Sequence, residues 1–395
     1  MSRGLVHGLY AALVGLLTLL GAPLPLVFAL IFAYMAWLGL RPVGGPPGVE
    51  PLAIPADAPE GERIERIDEW LQELSDAGEF NGGVLIARAG QPLVMRTYGV
   101  ADPKSGRPLT TSTPFRLASV SKQFTAAAVL TLVRDGRLDL DQEVAPVLSG
   151  LPHPGVTVRH LLNQTSGIPD AYMKLAKRYK RALGGRLRIA DVPALLAKAR
   201  IQSRRTPGAR YAYSNTDYVL AAGVVEAVSG SSFEDYLHEF LFSPLGMANA
   251  RVWTRESKDA FAERALDFTA ILEDRPTTIQ PEWFDGVAGD GGVFASLEDL
   301  LIWERFWREP RLVPAALVEE CFRAPMLASG KPSDYGFGWA LDPTGAWHNG
   351  AWLGARTLVA RSPSNDGWLA VVDNAANEAT ELFALQLRLQ LETLR

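Results

Sequence analysis

The stretch Phe115-Arg-Leu-Ala-Ser-Val-Ser-Lys-Gln-Phe124 decides how this chain is interpreted. A short polar run changes there into an apolar pattern with helical spacing, which continues through Val129 and Leu132. The pattern predicts a helix that begins near Ser119 and places Lys122 one turn further along on the same face. No other Ser-x-x-Lys spacing occurs in the sequence.

A serine beside a lysine at a helix start is the arrangement that acyl-transfer chemistry requires. The hydroxyl of Ser119 lies in the positive field of the helix end, and the amine of Lys122 can accept its proton. The sequence lacks Gly-x-Ser-x-Gly, the turn that carries the serine of α/β-hydrolases, which disfavours a Ser-His-Asp site on that fold. Ser119 is therefore a candidate nucleophile that needs partners from elsewhere in the chain.

Tyr213-Ser-Asn215 is the first candidate for such a partner. It lies in a loop before a predicted helix over Tyr218–Val228, and residues two apart on extended backbone point to one side. A phenol beside a lysine can act as a general base, and an asparagine amide can donate to a substrate carbonyl. The alternative interpretation is a buried tyrosine followed by a helix cap.

His348-Asn-Gly350, followed by Ala351, is the second candidate. It precedes a predicted strand whose backbone could run along the mouth of a site. The small Gly350 permits close approach of the backbone, and the Ala351 amide could join that of Ser119 as an oxyanion hole. The alternative interpretation is a hairpin turn made from Asn-Gly.

These three motifs, in this order, resemble the penicillin-recognising serine hydrolases, the group of class C β-lactamases, D-aminopeptidases, D,D-carboxypeptidases and β-lactamase-like esterases. The resemblance covers residues 80–374. It implies that Ser119 is the nucleophile, that Lys122 and Tyr213 transfer protons, and that Asn215 and His348 contact the substrate. Intervening segments match the family's usual landmarks as well: Val158–Ile168, Phe242–Met247, Gly289–Val293 and Tyr335–Trp339.

The resemblance also implies the fold class, an α/β (α+β) fold of the β-lactamase/transpeptidase type. Such a fold has a mainly antiparallel sheet flanked by helices, with an inserted all-helical domain and the site between the two parts. The residue patterns predict a helix over Glu62–Gly78, a hairpin from Val84–Ala87 and Leu93–Tyr98, strands at Tyr335–Ala340, Gly354–Arg361 and Trp368–Asp373, and, from its length, a helix over Ala379–Leu394.

The third motif departs from the class C β-lactamases, where a Lys-Thr-Gly ammonium helps to hold a substrate carboxylate. His348 is largely neutral at pH 7, and Arg356 either restores a positive charge near the site or is an ordinary exposed strand arginine. Gln164 stands where relatives often carry histidine. We therefore expect a hydrolase of a small ester, amide or D-amino-acid-containing peptide. The alternatives are a true β-lactamase or D,D-carboxypeptidase, and a binding or scaffold protein without turnover.

Composition narrows the possible partners. The net charge of −5 over 395 residues argues against a nucleic-acid surface. One cysteine, Cys321, excludes an intrachain disulfide, and the five scattered histidines give no reason to expect a metal or another cofactor. A basic run between Lys174 and Arg188 is interpreted as a solvated helix face, with contact to anionic headgroups as the alternative. The sequence assigns no oligomeric state.

The N-terminal part carries no Asp, Glu, Lys or Arg from Gly4 to Leu40, which is long enough to cross a bilayer. Pro23 and Pro25 divide it into two apolar segments. We expect a membrane anchor over residues 1–41, with one or two segments; a helical hairpin packed on the domain is the alternative. A Pro/Gly-rich linker over 42–61 and a hydrolase domain over 62–395 follow, with a helical insert at about 138–271, and the domain is expected outside the cytoplasm.

Overall fold

The computed structural model describes residues 49–391, except 56, 254–260, 270–275, 282, 284, 365 and 378. The predicted membrane segment over residues 4–40 lies outside the described residues. Within the described part of the chain, no helix is both long and apolar enough to span a bilayer. The chain divides into two compact units, residues 1–51 and 52–395, and the sheet, helices and candidate site all belong to the second.

The strands of the second unit form one large sheet and two small ones. In chain order the described strands are β1 Gly82–Arg88, β2 Gln91–Tyr98, β3 Val100–Asp102, β4 Arg107–Pro108, β5 Phe115–Arg116, β6 Arg251–Val252, β7 Val293–Ala295, β8 Ala340–Asp342, β9 Gly345–Trp352, β10 Ala355–Ser362 and β11 Gly367–Asp373. The large sheet has the order β2-β1-β11-β10-β9-β8, and β5, β7 and β6 form a second sheet beside it.

The described helices are α1 Glu60–Asp76, α2 Ser121–Arg134, α3 Val158–Leu162, α4 Tyr172–Tyr179, α5 Asp191–Lys198, α6 Asn215–Ser229, α7 Phe233–Leu237, α8 Ser243–Leu245, α9 Leu297–Arg308, α10 Ala315–Cys321 and α11 Thr380–Leu391. A 3₁₀ turn at Ala118–Val120 precedes α2, and a π-helical turn at His238–Phe242 follows α7. The helices α3 to α8 therefore lie between two groups of strands along the chain. The predicted domain and insert boundaries stay predictions.

All pairings in the large sheet are antiparallel, and they join the two ends of the domain. Val84 of β1 pairs with Val371 of β11, which pairs in turn with Leu358 of β10. Every residue of β11 is buried because the strand is central and helices cover the sheet, whereas β2 at the edge is partly exposed. The predicted fold class, a mainly antiparallel sheet flanked by helices, is confirmed.

Two neighbouring glycines of β1 show that both faces of the sheet are covered. Successive residues of a strand point to opposite faces. A Cβ at Gly82 would meet Phe80, which packs edge-on against Phe383 of α11, while a Cβ at Gly83 would meet Leu297 of α9. Helix α11 thus covers one face and α9 the other, which gives the layered arrangement of an α/β domain.

Helix α2 is the centre of the domain. Every residue from Ser121 to Leu132 is buried, which is the pattern of a helix surrounded by other elements. On one side Phe124 stacks on Trp303 of α9, with ring centroids 4.0 Å apart, and α6 packs on α2 from another side. The start of α2 is therefore fixed by packing from both the sheet layer and the helical layer.

Most predicted elements are present, with small shifts of their ends. The predicted hairpin corresponds to β1 and β2, and the predicted strands at Gly354–Arg361 and Trp368–Asp373 to β10 and β11. The C-terminal segment, predicted from its length as a helix, is helical over Thr380–Leu391, where the described part of the chain ends. Helix α1 begins two residues earlier than predicted. Helix α6 begins at Asn215, three residues before the predicted start, because Ser214 caps it by accepting from the Asp217 amide.

The predicted strand over Tyr335–Ala340 is wrong. The segment bends back on itself, and its ends meet only as an isolated bridge between Tyr335 and Ala340. Gly338 has φ +77, and a Cβ there would lie 2.8 Å from the Cα of Gln123 in α2. The glycines that interrupt the aromatic pattern therefore turn the chain tightly against α2 instead of extending it.

Candidate active site

Ser119 lies at a sharp turn between β5 and α2. Ala118, the preceding residue, has φ +47, a left-handed conformation that non-glycine residues rarely adopt. The 3₁₀ turn Ala118–Val120 follows, and α2 begins only at Ser121. Ser119 is thus placed in the turn before the helix, not in its first residue, and its hydroxyl lies within hydrogen-bond reach of the Lys122 side chain.

The Lys122 ammonium is fully buried and has three acceptors. It donates to Ser119 Oγ at 3.1 Å, to Asn215 Oδ1 at 2.9 Å and to the backbone oxygen of Asp290 at 2.9 Å. Burial lowers the pKa of Lys122 to about 8, while the carboxylates of Asp290 and Asp170 oppose this shift. The amine is therefore neutral in a substantial fraction of molecules slightly above neutral pH.

Tyr213 contacts the same hydroxyl from the other side. Its OH donates to Ser119 Oγ at 2.9 Å, and its ring centroid lies 4.9 Å from the Lys122 nitrogen. Partial burial raises the pKa of Tyr213, a residue that is 40% exposed, and the hydrogen bond to Ser119 opposes this shift. A phenolate is consequently disfavoured, so Lys122 is better suited to accept the serine proton and Tyr213 to relay one.

Gln164 holds the loop that carries Tyr213. Its side-chain oxygen accepts from the Ser214 amide at 2.6 Å, and its backbone oxygen accepts from the Ala212 amide at 3.0 Å. Gln164 is buried and has φ +55. This residue, for which the sequence suggested no mechanism, therefore supports the loop that leads into α6.

Asn215 is the first residue of α6 and turns both ends of its amide to charged groups. Its Oδ1 accepts from Lys122, and its Nδ2 donates to Asp170 Oδ2 at 3.1 Å. The amide therefore lies beside the proton-transfer pair, in a position from which Nδ2 can also donate to a bound carbonyl.

Gly350 brings strand β9 directly against the Ser119 backbone. A Cβ at Gly350 would lie 2.4 Å from Thr357 Oγ1, 2.6 Å from the Leu117 oxygen and 2.9 Å from the Ser119 nitrogen. Among the described strands, β8 pairs with β9 only over Gly345–Trp347. The backbone of Ala351 therefore has a strand partner in β10 but none on the opposite side of β9. Gly350 thus brings the strand that carries Ala351 against the Ser119 backbone, and Ser119 and Ala351 line the same cavity.

His348 lies behind the site. It is buried, its Nε2 accepts from the Tyr335 hydroxyl at 2.9 Å, and its Nδ1 donates to the Asn349 backbone oxygen at 2.6 Å. Burial lowers the pKa of His348 to about 3, and the Lys122 charge acts in the same direction. The ring is therefore neutral, and it does not line the cavity beside Ser119; its ring centroid lies 6.2 Å from that of Tyr213.

Arg356 is also not at the cavity. Its guanidinium donates to the backbone oxygens of Leu353 and Ala355, which holds it at the turn between β9 and β10. The arginine that does line the cavity is Arg116, and it is paired with buried Asp267 at 2.8 Å. Of the two alternatives for Arg356, these contacts give no support to the one in which it restores a positive charge near the site.

A cavity of about 220 Å³ opens beside Ser119. Asp285 and Asp290 both contribute to its wall. Asp285 accepts from Trp352 Nε1 at 2.6 Å, and Asp290 accepts from the Tyr172 hydroxyl at 2.7 Å. The residues that line the cavity are Arg116, Ala118, Ser119, Tyr172, Met173, Asn215, Asp285, Val287, Asp290, Gly291, Gly292, Ala351 and Trp352.

Three acidic residues of the site were missed by sequence reasoning. Asp290 lies inside the landmark Gly289–Val293, and Asp170 follows Val158–Ile168 by two residues, so both stood next to segments already noted. Asp285 carries no local signal at all. In the part of the chain that the structure describes, no three or more His, Cys, Asp or Glu side chains are grouped to hold a metal ion.

The fold and the arrangement of serine, lysine and tyrosine define a serine hydrolase of the penicillin-recognising type. Residues 67–392 match the Beta-lactamase family, and the chain belongs to that family. Penicillin-binding protein 4* of Bacillus subtilis (strain 168) is 33% identical over 308 residues, 74% of this chain and 67% of that protein.

Two further comparisons extend this similarity. A D-aminopeptidase of Gluconobacter oxydans (strain 621H) is 31% identical over 263 residues, which is 65% of this chain and 48% of that enzyme. The chain thus spans about half the length of the D-aminopeptidases it matches. The octameric penicillin-binding protein homologue from Pyrococcus abyssi superposes with a TM-score of 0.70 at 24% identity, over 83% of this chain and 77% of that one.

Proposed function

We propose that this protein hydrolyses a small amide, ester or D-amino-acid-containing peptide through an acyl-enzyme on Ser119. One observation carries the proposal: Ser119 Oγ lies 2.9 Å from the Tyr213 hydroxyl and 3.1 Å from the Lys122 nitrogen, at the wall of a cavity. A group to accept the proton of the nucleophile and a group to deliver that proton therefore both lie within hydrogen-bond distance of Ser119 Oγ.

The reaction begins when Ser119 Oγ forms a bond to the substrate carbonyl carbon and its proton passes to the neutral amine of Lys122. The amides of Ser119 and Ala351 donate to the oxyanion. The proton then moves through the Tyr213 hydroxyl to the leaving nitrogen or oxygen as its bond to carbon breaks. Water attacks the acyl-enzyme and gives one proton back along the same route, which returns Ser119 to its hydroxyl form.

Charge at the cavity supports a substrate that carries an amino group and no carboxylate. Asp285 and Asp290 place carboxylates at the wall; of the nearby cations, Arg116 is paired with Asp267 and Lys122 lies against Asp290, while His348 is neutral. A β-lactam or a peptide with a free carboxyl end would meet these carboxylates beside an arginine that is already paired. The D-aminopeptidase relatives, which share the family, agree with an amine-bearing substrate.

A substrate panel tests this choice. We expect the purified full chain to cleave D-alanine p-nitroanilide at least about ten times faster, as kcat/KM, than its N-acetyl form, since a hydrogen bond to a charged group contributes roughly 1.5–3 kcal/mol and 1.4 kcal/mol is a factor of ten. Asp285→Asn should reduce the preference, and Asp139→Asn on the exposed surface should not. Faster turnover of a carboxylate-bearing β-lactam such as nitrocefin would instead favour the β-lactamase alternative.

We also propose that residues 4–40 anchor the protein in a membrane, with the hydrolase domain outside the cytoplasm. The charge-free run of the sequence supports this. We expect the full chain to stay with membranes after alkaline carbonate extraction, and a reporter fused after Arg41 to be active only if that position is extracytoplasmic. Release of the protein by carbonate would contradict the anchor, and reporter activity restricted to the cytoplasm would contradict the orientation.

A further inference from the structure

We propose that Asp170 is a positioning residue for the Ser119–Lys122 pair and that it acts through the amide of Asn215. The inference rests on the proposed function, because it assigns to Asp170 a part in setting up the proton transfer. Asp170 lies in the loop before α4, outside the three motifs that the sequence placed at the site.

The Asp170 carboxylate holds the start of α6 with both oxygens. Oδ2 accepts from Asn215 Nδ2 at 3.1 Å, and Oδ1 accepts from both the backbone nitrogen and the hydroxyl of Thr216, each at 3.1 Å. Thr216 Oγ1 accepts in turn from the amides of Ala171 and Tyr172. The carboxylate is therefore fixed on two sides, although its residue is exposed.

This contact determines which end of the Asn215 amide faces Lys122. A carboxylate can only accept hydrogen bonds, so the amide must turn Nδ2 to Asp170 and Oδ1 to the lysine. With the amide reversed, its NH₂ group would face the Lys122 ammonium and one of the three acceptors of that ammonium would be lost. Asp170 thus keeps Lys122 aimed at Ser119, and it leaves the second hydrogen of Nδ2 for a substrate carbonyl.

The carboxylate also acts on Lys122 through its charge. Together with Asp290 it raises the pKa of Lys122, against the larger effect of burial. The other titratable groups that face the amine are Tyr213, Tyr218 and His348, which are neutral near pH 7 because burial raises the pKa of each tyrosine and lowers that of the histidine. Removal of the Asp170 charge therefore leaves Asp290 as the carboxylate that raises the pKa of Lys122.

A helix cap alone does not account for this arrangement. Helix α6 already has Ser214 as its N-cap, whose side chain accepts from the Asp217 amide at 3.3 Å. A residue that served only the helix end would not need to contact Asn215 Nδ2, which lies on the site side. The geometry therefore shows that Asp170 supports the side chain that contacts Lys122, in addition to the start of helix α6.

The test compares Asp170→Asn with wild type in the rate of labelling by a fluorophosphonate probe from pH 6 to pH 10. In wild type we expect the second-order labelling rate to rise through about pH 8 as Lys122 loses its proton. The side-chain amide in Asp170→Asn can donate to Asn215 Oδ1, which permits the reversed orientation of the Asn215 amide. The variant also lacks the negative charge of Asp170. We expect the plateau rate to fall about ten-fold and the rise to move to lower pH.

Asp191→Asn is the matched control. Asp191 is also an aspartate at a helix start, where it accepts from the Arg188 amide at 2.8 Å, but it is not part of the cavity wall. We expect this variant to label like wild type at every pH. Asp170→Glu keeps the negative charge. If that charge sets the pKa of Lys122, the labelling rate of this variant should rise at the same pH as in wild type.

The outcomes separate this inference from the proposed function. If Asp170→Asn is folded by its melting temperature and labels with the wild-type plateau and midpoint, Asp170 has only a structural part and the inference is overturned. If wild type itself gains no label while a control serine hydrolase does, the proposed function fails instead. If Asp170→Asn does not fold, Asn215→Asp takes its place, because its carboxylate cannot donate to Asp170. A lower plateau in that variant supports the inference, and a wild-type plateau overturns it.

Discussion

Lys122→Ala should lower kcat/KM, and the rate of fluorophosphonate labelling, by about 10³-fold. A positioned general base contributes roughly 10²–10⁴ to such a step, and the raised pKa of Tyr213 disfavours a phenolate that would replace the amine. The change also leaves Asn215 Oδ1 and the Asp290 backbone oxygen without their donor. Steady-state kinetics on an activated ester, with labelling rates in parallel, measure the loss.

The control for this variant is Lys104→Ala. Lys104 is an exposed lysine in the turn between β3 and β4, so its loss should leave both rates within about two-fold of wild type. Circular dichroism and the melting temperature establish that Lys122→Ala is folded. Activity above a tenth of wild type in the folded variant would show that Lys122 is not the base.

Gly350→Ala is expected to have the second large effect, because the added methyl group has no room. Its Cβ would lie 2.4 Å from Thr357 Oγ1 and 2.9 Å from the Ser119 nitrogen, and it would therefore push β9 away from the serine. Overpacking of this kind costs about 1–3 kcal/mol in the free energy of unfolding. Displacement of the Ala351 amide from the oxyanion should lower kcat by about 10²-fold or more.

Gly61→Ala is the matched control for the glycine variant. Gly61 lies in the first turn of α1, and a Cβ there would meet nothing within 4 Å. We expect this variant to keep full activity and wild-type or slightly greater stability, since alanine favours a helix over glycine. Chemical denaturation and kcat are measured for both variants. Wild-type kcat in Gly350→Ala would contradict the position of β9 at the oxyanion.

The contact between Ser119 and Lys122 could be predicted because it is local. Two residues three apart at a helix start face the same side whatever the rest of the chain does. The assignment of Tyr213, Asn215 and Gly350 to the site rested on the order of the three motifs. Nothing in their own segments determines that they contact Ser119. The structure brings all of them to one place, whereas His348 is brought near without reaching the cavity.

The acidic residues of the site could not be predicted in the same way. Asp170 reaches the site from the loop before α4, and Asp285 and Asp290 reach it from the segment before β7. Asp170 and Asp290 act on the charge of Lys122, and Asp285 accepts from Trp352 at the cavity wall; these contacts depend on tertiary packing, which no sequence spacing encodes. The error at Tyr335–Ala340 has a related cause. The two glycines of that segment turn the chain tightly against Cys321 and Gln123, which are distant in sequence.

The central claim, that Ser119 forms the acyl-enzyme, is tested most directly by the intact mass of the protein after exposure to a fluorophosphonate probe. Ser121→Ala is the matched control, because Ser121 belongs to the same motif but is buried and accepts from the Val293 amide at 3.1 Å. We expect wild type and Ser121→Ala to gain one phosphonyl group per chain and Ser119→Ala to gain none. Equal labelling of Ser119→Ala, or no labelling of wild type where a control serine hydrolase is labelled, would contradict the assignment of the nucleophile.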